Sequence, residues 1–416
     1  AVGCNRFYFW RKSNPMPPKR RPSSTVTGDA EAAQEEALPA FKKNLSSVSE
    51  SIPIEESVVE PTPRKQPAAR RRNKDVPSAV KVKKSGTTDS LGETTDGGEG
   101  PAKRARKAKA VGPYTQFKES SIPEPELPRA LLPEGRAGLR IISWNLGGLR
   151  GFLKSRQGDL EKLVERERPD VLALLEHKLQ QDGKETEATL ASLSEVLPEY
   201  ELAAISYSTV KKGYSGVLVL MRKGAQQPTS EVTDLNAASN EGRLVILDFD
   251  RLYIVVSYVP NSGDGLKRLD ERVGKWDVEL RERLTRMATQ KSVLLIGDLN
   301  VAHLDTDIWN VEAPHVPKSA GTTPQERESF GQLLEAGFVD GFRKMHPEAL
   351  GAFTYWSVRA GNRGRNRGLR LDYAVVSRDM VDMVEGAGDS VQLVDAFHIA
   401  DLASGDHCAV GALVAM

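Results

Sequence analysis

From Leu139 onward the chain falls into short apolar runs, each closed by a polar cluster. Residues 140–146, 171–175, 216–221, 244–250, 252–259, 293–299, 371–376 and 408–414 are rich in Val, Ile and Leu, and their lengths predict strands. Helical spacing of apolar positions predicts helices over 160–167, 268–287 and 324–334. The neighbouring runs at 244–250 and 252–259 predict a hairpin. Strands outnumber helices and do not alternate strictly with them, so a doubly wound parallel sheet is not expected. The pattern predicts an α/β fold, a layered sandwich of mixed, largely antiparallel sheet under covering helices. No internal repeat is visible. Residues 1–136 carry little periodicity, which predicts a disordered tail there and a single catalytic domain over 137–416.

Composition sharpens this division. The 58 basic and 57 acidic residues nearly cancel, yet residues 1–138 hold 25 of the basic and 17 of the acidic ones. The tail is therefore +8 and the remainder −7, and 16 of the 24 prolines precede residue 139. Basic runs at Lys19-Arg20-Arg21, Arg70-Arg71-Arg72 and Lys103-Arg104 read as nuclear import signals or loose nucleic-acid anchors, a solvated tail without an address being the alternative. Phe7–Trp10 is too short for a signal-peptide core; an organellar presequence is the other reading, and Met16 offers a second start. Cys4 and Cys408 cannot build a disulfide framework, which favours a reducing compartment. No apolar run approaches the ~18–20 residues of a membrane span, so a membrane protein is not expected. Coiled coils are excluded likewise.

Polar residues gather where the apolar runs stop. The run 141–145 ends in Asn145, and 171–175 is followed by Glu176. Later runs end in Tyr258 and Asn261, in Asp298 and Asn300, in Asp372, and at Asp406-His407. Strand ends hold loop groups on a rigid scaffold, and a carboxylate beside a buried strand is costly unless paired or ligating a metal. Taken singly, a strand-end Glu is more often a cap or a salt-bridge partner, and one Asp-His dipeptide says less still. Six ends carrying Asn, Glu, Tyr, Asp, Asn, Asp, Asp and His say more. That set suits a hard divalent cation, an attacking water with a general base, and a histidine held by a carboxylate.

Residues 139–416 resemble the exonuclease III family of apurinic/apyrimidinic (AP) endonucleases, within the endonuclease/exonuclease/phosphatase superfamily, and most of all its mammalian members. The resemblance rests on Ser143-Trp144-Asn145, Pro169-Asp170-Val171-Leu172, Glu176 with Lys178, and Gly213-Tyr214-Ser215-Gly216-Val217. It continues through Tyr258-Val259-Pro260-Asn261, the stretch from Gly297 to His303, Thr323-Pro324-Gln325-Glu326-Arg327, Arg370-Leu371-Asp372-Tyr373 and Asp406-His407-Cys408. It implies a four-layered α/β sandwich, two mixed sheets face to face between helices. It implies cleavage of the phosphodiester 5′ to an abasic site with Mg²⁺, or Mn²⁺ as a substitute, leaving a 3′-hydroxyl and a 5′-deoxyribose phosphate. Activity as a 3′-phosphodiesterase and 3′–5′ exonuclease is expected alongside.

By the same resemblance Glu176 is the principal metal ligand, with Asn145 and Asp406 beside it and Asp298, Asn300 and His407 completing the metal set. Asp298 activates the water, Asn300 positions it, and His407, oriented by Asp372, faces the scissile phosphate with Tyr258 and Asn261. DNA contacts are expected from Arg150, Tyr214, Tyr355, Trp356, Arg359, Asn366, Leu369 and Leu371. Gly147 departs from the family, standing where mammalian members carry an aspartate near the metal. His177 is not expected to be a ligand. Tyr355 and Leu369 replace two aromatic walls of the abasic pocket, Arg359 replaces an inserted Met, and Asp264 replaces a neighbouring Arg.

Arg359, Arg363, Arg365, Arg367 and Arg370 stand in an otherwise acidic domain and predict a mobile, phosphate-binding loop. The expected partner is double-stranded DNA with abasic sites or blocked 3′ ends, bound by a monomer, with other base excision repair proteins met through the tail. The expected location is the nucleus, with a mitochondrial fraction as a further expectation. The rivals are another phosphodiesterase of the superfamily and a catalytically silent DNA-binding scaffold; retention of Glu176, Asp298, Asn300, Asp372 and His407 argues against the latter.

Overall fold

A computed structural model describes residues 112–232, 240–382, 390–402 and 405–416. The basic runs and the aromatic cluster of the tail lie outside the described residues. One sheet is assembled from β1 (Gly138–Asn145), β2 (Val171–Leu175), β3 (Tyr200–Ser206), β4 (Val217–Arg222), β11 (Gln392–Ile399) and β12 (Ala409–Ala415), in the order β11-β12-β1-β2-β4-β3. The other contains β5 (Ser230–Val232), β6 (Leu244–Asp248), β7 (Leu252–Tyr258), β8 (Ser292–Asp298), β9 (Phe338–Asp340) and β10 (Asp372–Ser377), in the order β5-β6-β7-β8-β10-β9. Only β1–β2 and β7–β8 pair in parallel; all other described pairs are antiparallel.

Alternation along each strand sends its two faces into different cores. Ile141, Ala173, Val219, Val256, Ile296 and Val376 meet in the core between the sheets. The opposite faces of β1, β2 and β4 pack beneath α1 (Leu149–Glu167) and α2 (Lys184–Val196) through Ile142, Leu172, Leu163 and Leu193. On the other side, Val255, Leu295 and Val375 pack beneath α3 (Asp277–Ala288) and α4 (Pro324–Glu335) through Leu284 and Phe330. The result is the four-layered sandwich. Because the sheets are buried on both faces, their central strands read as largely unbroken apolar runs.

The helices differ from expectation in extent. α1 begins eleven residues before the predicted start at 160, with non-helical backbone at Arg156. Glycines and polar residues mask the period there, while Leu149 and Phe152 are wholly buried. The predicted helix over 268–287 is present as a turn, Leu269–Glu271, a π segment, Arg272–Trp276, and then α3. α4 starts with a capping box: Thr323 accepts from the Glu326 amide, and Glu326 reaches back to the Thr323 amide.

Residues 112–136 share the tail's composition, yet they lie on the domain. Tyr114 and Ile122 are buried against Phe353, Trp356 and Cys408. Arg129 pairs with Glu167 at 3.3 Å and with Asp395 at 3.0 Å, and its guanidinium covers the Phe397 ring. A few anchoring side chains hold this strap, and such anchors leave no periodic trace in the sequence.

Candidate active site

The two sheets bring their chemistry to one end of the sandwich. Asn145 closes β1 beside Leu175, the residue before Glu176. Asp298 closes β8 and is cross-strand partner to both Asp372, opening β10, and Tyr258, closing β7. His407 stands just before β12. Gly297 makes the parallel pairing here possible, since a Cβ would lie 2.0 Å from the Ser257 carbonyl oxygen.

Asp298 is 1% exposed and gripped from several sides. Its Oδ1 accepts the Asn300 amide at 2.9 Å, and its Oδ2 accepts Asn145 Nδ2 at 3.0 Å, with His407 Nε2 3.8 Å away. Asn145 Nδ2 also reaches Glu176 Oε1 at 3.3 Å. Glu176 takes Lys178 Nζ at 2.9 Å and the Tyr258 hydroxyl. His407 Nδ1 lies 2.9 Å from Asp372 Oδ2, and its carbonyl accepts Trp144 Nε1 at 3.2 Å. Asn261 Nδ2 donates to Asn300 Oδ1, and Asn300 Nδ2 to the Val259 carbonyl, both at 2.9 Å. Glu176 and Asn300 have left-handed backbone (φ 53° and 49°), strain that persists only where surroundings enforce it.

Burial and the neighbouring Asp372 raise the Asp298 carboxyl above its usual range. Burial opposes charge on His407, but Asp372 and Asp298 outweigh it and lift the imidazole to about 10. Burial likewise opposes the Glu176 carboxylate, and the Tyr258 hydroxyl and Lys178 reverse the effect, leaving its pKa lowered. Asp298, Asp372 and His407 are all buried and each brings a ligand atom within 4.8 Å of the others, a grouping that could hold a metal ion. The oxygen donors of the expected set, on Glu176, Asn145, Asp298, Asn300 and Asp406, suit a hard divalent cation. A cation beside Asp298 would also relieve the like charge of Asp372. Asp406 is half-buried and acts on His407 and Arg156 through its charge. Gly147 contributes its amide to Asn145 Oδ1 at 3.0 Å and its carbonyl to Lys178 Nζ at 2.7 Å.

The expected DNA-contacting set separates into surface and interior. Arg150 and Arg359 are exposed, Arg150 in an ion pair with Glu185. Tyr214 is half-buried, its hydroxyl accepting Arg243 Nη2 at 2.7 Å and Arg268 Nη1 at 2.8 Å. Tyr355 and Leu369 are half-buried and paired through their backbones, and the Tyr355 ring centroid is 5.0 Å from that of His407. Trp356, Asn366 and Leu371 are instead buried. Trp356 is 1% exposed and donates Nε1 to Asn366 Oδ1 at 2.9 Å, while Leu371 packs with Ala302, Ile308 and Val316.

The arginine loop is corrected in the same way. Arg370 is fully buried, its Nε and Nη2 each 2.9 Å from the Asp307 carboxylate and Nη2 2.6 Å from Asp340. Arg363 stacks on Trp356 at 3.6 Å and bonds the Ala400 carbonyl, and Arg367 bonds the carbonyls of Phe117 and Lys118. Only Arg359 and Arg365 of the five are exposed. The partners Asp307 and Asp340 are remote in sequence, so this burial had no local signal.

His177 is buried, and both its ring nitrogens meet backbone groups. Its Nε2 is 2.9 Å from the Ser206 carbonyl and its Nδ1 accepts the Leu179 amide at 3.0 Å. Burial holds its pKa down to about 4, and its ring fills the space a Cβ on Gly216 would need.

Three further residues position the site without a local signal in the sequence. Arg243, 1% exposed, donates Nη1 to the Tyr258 carbonyl at 3.0 Å and faces the Tyr258 ring. Arg272, turned inward by the π segment, bonds the carbonyls of Pro260, Leu299 and Asn300. Thr354 Oγ1 accepts the amides of Leu371 and Asp372 at 2.9 and 3.0 Å.

Residues 142–407 match the Endonuclease/Exonuclease/phosphatase family. The chain is 37% identical over 278 residues to an exodeoxyribonuclease of Bacillus subtilis, covering 66% of this chain and 99% of that protein. It is 36% identical over 280 residues to a DNA-(apurinic or apyrimidinic site) endonuclease of Dictyostelium discoideum, covering 66% of this chain and 70% of the relative. The crystal structure of the AP endonuclease LMAP from Leishmania major superposes with a TM-score of 0.60 at 30% identity, over 74% of this chain and 97% of that one. A family match over residues 142–407, a range that takes in every site residue described above, together with these relatives, places the chain in the endonuclease/exonuclease/phosphatase family, as a nuclease of its exonuclease III-like branch.

Proposed function

We propose that the protein hydrolyses the phosphodiester 5′ to an abasic site in duplex DNA, as a base excision repair nuclease, leaving a 3′-hydroxyl and a 5′-deoxyribose phosphate. It also trims blocked 3′ ends. The observation that carries this reading is the grip on Asp298: both carboxylate oxygens are oriented by amide donors, beside a histidine that is itself held by Asp372. A buried, oriented carboxylate suits a base that takes a proton from water. His407, charged and fixed, donates toward a non-bridging phosphate oxygen as negative charge develops there. Tyr258, Asn261 and Asn300 supply further donors around the same phosphate. Glu176, with Asn145 and Asp406, would hold the divalent cation, Mg²⁺ in this reading with Mn²⁺ as substitute. When bound, the cation neutralises phosphate charge and polarises the bond to be broken.

Half-buried Tyr355 and Leu369 form the mouth of the sugar slot, and exposed Arg150, Arg359 and Arg365 meet phosphates around it. The +8 tail adds sequence-independent affinity and a nuclear address. The test is incision of a duplex carrying one abasic analogue, with Mg²⁺ and with EDTA, followed by identification of the new ends. Cleavage 5′ to the analogue, abolished by EDTA and leaving a 3′-hydroxyl, is expected. Cleavage without preference for the analogue would favour a non-specific nuclease.

A further inference from the structure

The strap over residues 112–125 makes its contacts at a particular place, the basic loop that flanks the sugar slot. The Ile122 amide donates to the Arg365 carbonyl at 3.0 Å. The Asn366 Nδ2 reaches the Pro123 carbonyl at 3.4 Å, and Arg367 bonds the carbonyls of Phe117 and Lys118. Glu124 faces the Arg363 guanidinium at 3.8 Å. Of the five consecutive positions 363–367, all but Gly364 are therefore held by one short stretch of chain more than 230 residues away in sequence. Tyr114 anchors that stretch. Its hydroxyl donates to the Thr306 carbonyl at 2.6 Å and accepts the Gly351 amide at 2.9 Å, and its ring packs on Phe353.

From the clamped loop, contacts lead straight to the reacting groups. Asn366, in left-handed backbone (φ 47°), is bonded to Pro123, to the Gly351 carbonyl at 2.8 Å, and to the Trp356 indole at 2.9 Å. Trp356, Tyr114, Ile122 and Cys408 share one apolar cluster, and Cys408 follows His407. The loop then passes through Leu369, which exchanges backbone hydrogen bonds with Tyr355 at 2.9 Å, and Tyr355 bridges to His407. A wall made of Tyr355 and Leu369 is only as rigid as the loop behind it.

We infer that residues 112–125 are a positioning element of the substrate slot, setting its width by clamping loop 363–369 and thereby how sharply an abasic sugar is preferred over an ordinary terminal nucleotide. This rests on the nuclease reading above. The strap makes no direct hydrogen bond to Asp298, His407 or Glu176, whereas it bonds the loop behind Leu369 directly, so loosening it changes which nucleotide is accepted more than how fast the bond is cut.

The test uses the full chain with Tyr114→Phe, which keeps the ring and removes both hydroxyl bonds, and with Tyr114→Ala combined with Ile122→Ala. Amide hydrogen exchange is followed at Arg365, Asn366 and Leu369, and abasic incision is measured beside 3′ nucleotide excision. Faster exchange at those amides is expected, with a graded fall in the ratio of incision to excision, about tenfold in the double variant, a modest share of what misplacement by ~1 Å costs. An unchanged ratio would overturn the inference even if the variants lose thermal stability, because a merely structural strap would lower both activities together. Unchanged exchange in the loop would overturn it as well. If the wild-type chain cuts neither substrate, the nuclease reading fails; the exchange measurement still decides whether the strap holds the loop.

Discussion

Arg370 offers the sharpest contrast between a structural and a DNA-contacting arginine. Its guanidinium is fully buried, forked onto Asp307 by two bonds of 2.9 Å, bonded to Asp340 at 2.6 Å, and stacked over the Tyr373 ring at 4.3 Å. Burial alone would raise the Asp307 carboxyl, yet Arg370 and Arg343 hold it far below the usual range. Arg370→Met keeps much of the volume and leaves two buried carboxylates short of a cation. Breaking a buried pair from one side costs about 3–5 kcal/mol. Arg343 stays on Asp307 at 2.5 Å, which puts the expected loss near the lower end, about 3 kcal/mol. That is a large fraction of the ~5–15 kcal/mol that holds a typical domain together.

Urea unfolding followed by circular dichroism reads this loss directly as a lower midpoint with unchanged slope. Binding to an abasic duplex in EDTA, measured across salt concentrations, reads the other possibility. Arg370→Met should leave the salt slope as it is, whereas exposed Arg365→Ala should lower the slope by about one and leave stability alone. An Arg370 variant within ~1 kcal/mol of wild type but with a reduced salt slope would refute the burial argument.

Further outcomes follow from the same geometry. His398 stacks on Phe342 at 3.9 Å with Nδ1 unpartnered, and burial, then Arg370 and Arg343, push its pKa well below the ordinary value. The unfolded chain therefore takes up this proton first, so the contribution to stability is full above about pH 6.5 and falls by at most ~1.4 kcal/mol per unit below it. His398→Phe should flatten the loss of unfolding free energy between pH 7.5 and 5.5; an identical pH slope would contradict the assignment. His407→Ala should slow single-turnover incision more than Asp372→Ala, because Asp372 acts through the imidazole, and the reverse order would remove it from that role. Leu369→Trp should shift the ratio of abasic incision to 3′ excision toward incision by stiffening the half-buried wall opposite Tyr355; an unchanged ratio would show that Leu369 merely packs there.

What the sequence reveals depends on where a residue's partners are. β1, β2, β4, β8, β10 and β12 are buried on both faces and announce themselves as continuous apolar runs. The edge strands do not. β11 holds Asp395 among its apolar residues, satisfied by Arg129 from the strap, and β3 alternates apolar with half-buried positions around an irregularity at 202–204. α2 passes unnoticed because a single narrow stripe, Leu190 and Leu193 with two threonines, is all that it buries. At the site, Asn145, Glu176, Tyr258, Asp298, Asp372 and His407 are legible because each stands at the end of a run. Thr354, Arg243 and Arg272 are not, since they act on carbonyls and amides that the fold alone brings near. The same holds for Arg370, which has the appearance of a surface charge until Asp307 and Asp340 are seen beside it.

Asp298 carries the central claim, and its loss tests that claim most directly. Asp298→Asn is nearly isosteric and can still meet the Asn300 amide, but it cannot accept a proton from water. Single-turnover incision of an abasic duplex, with binding measured separately in EDTA, should show a fall of roughly 10²–10⁴-fold in rate with affinity nearly unchanged. Near-normal cleavage by Asp298→Asn would contradict the account and assign the base elsewhere.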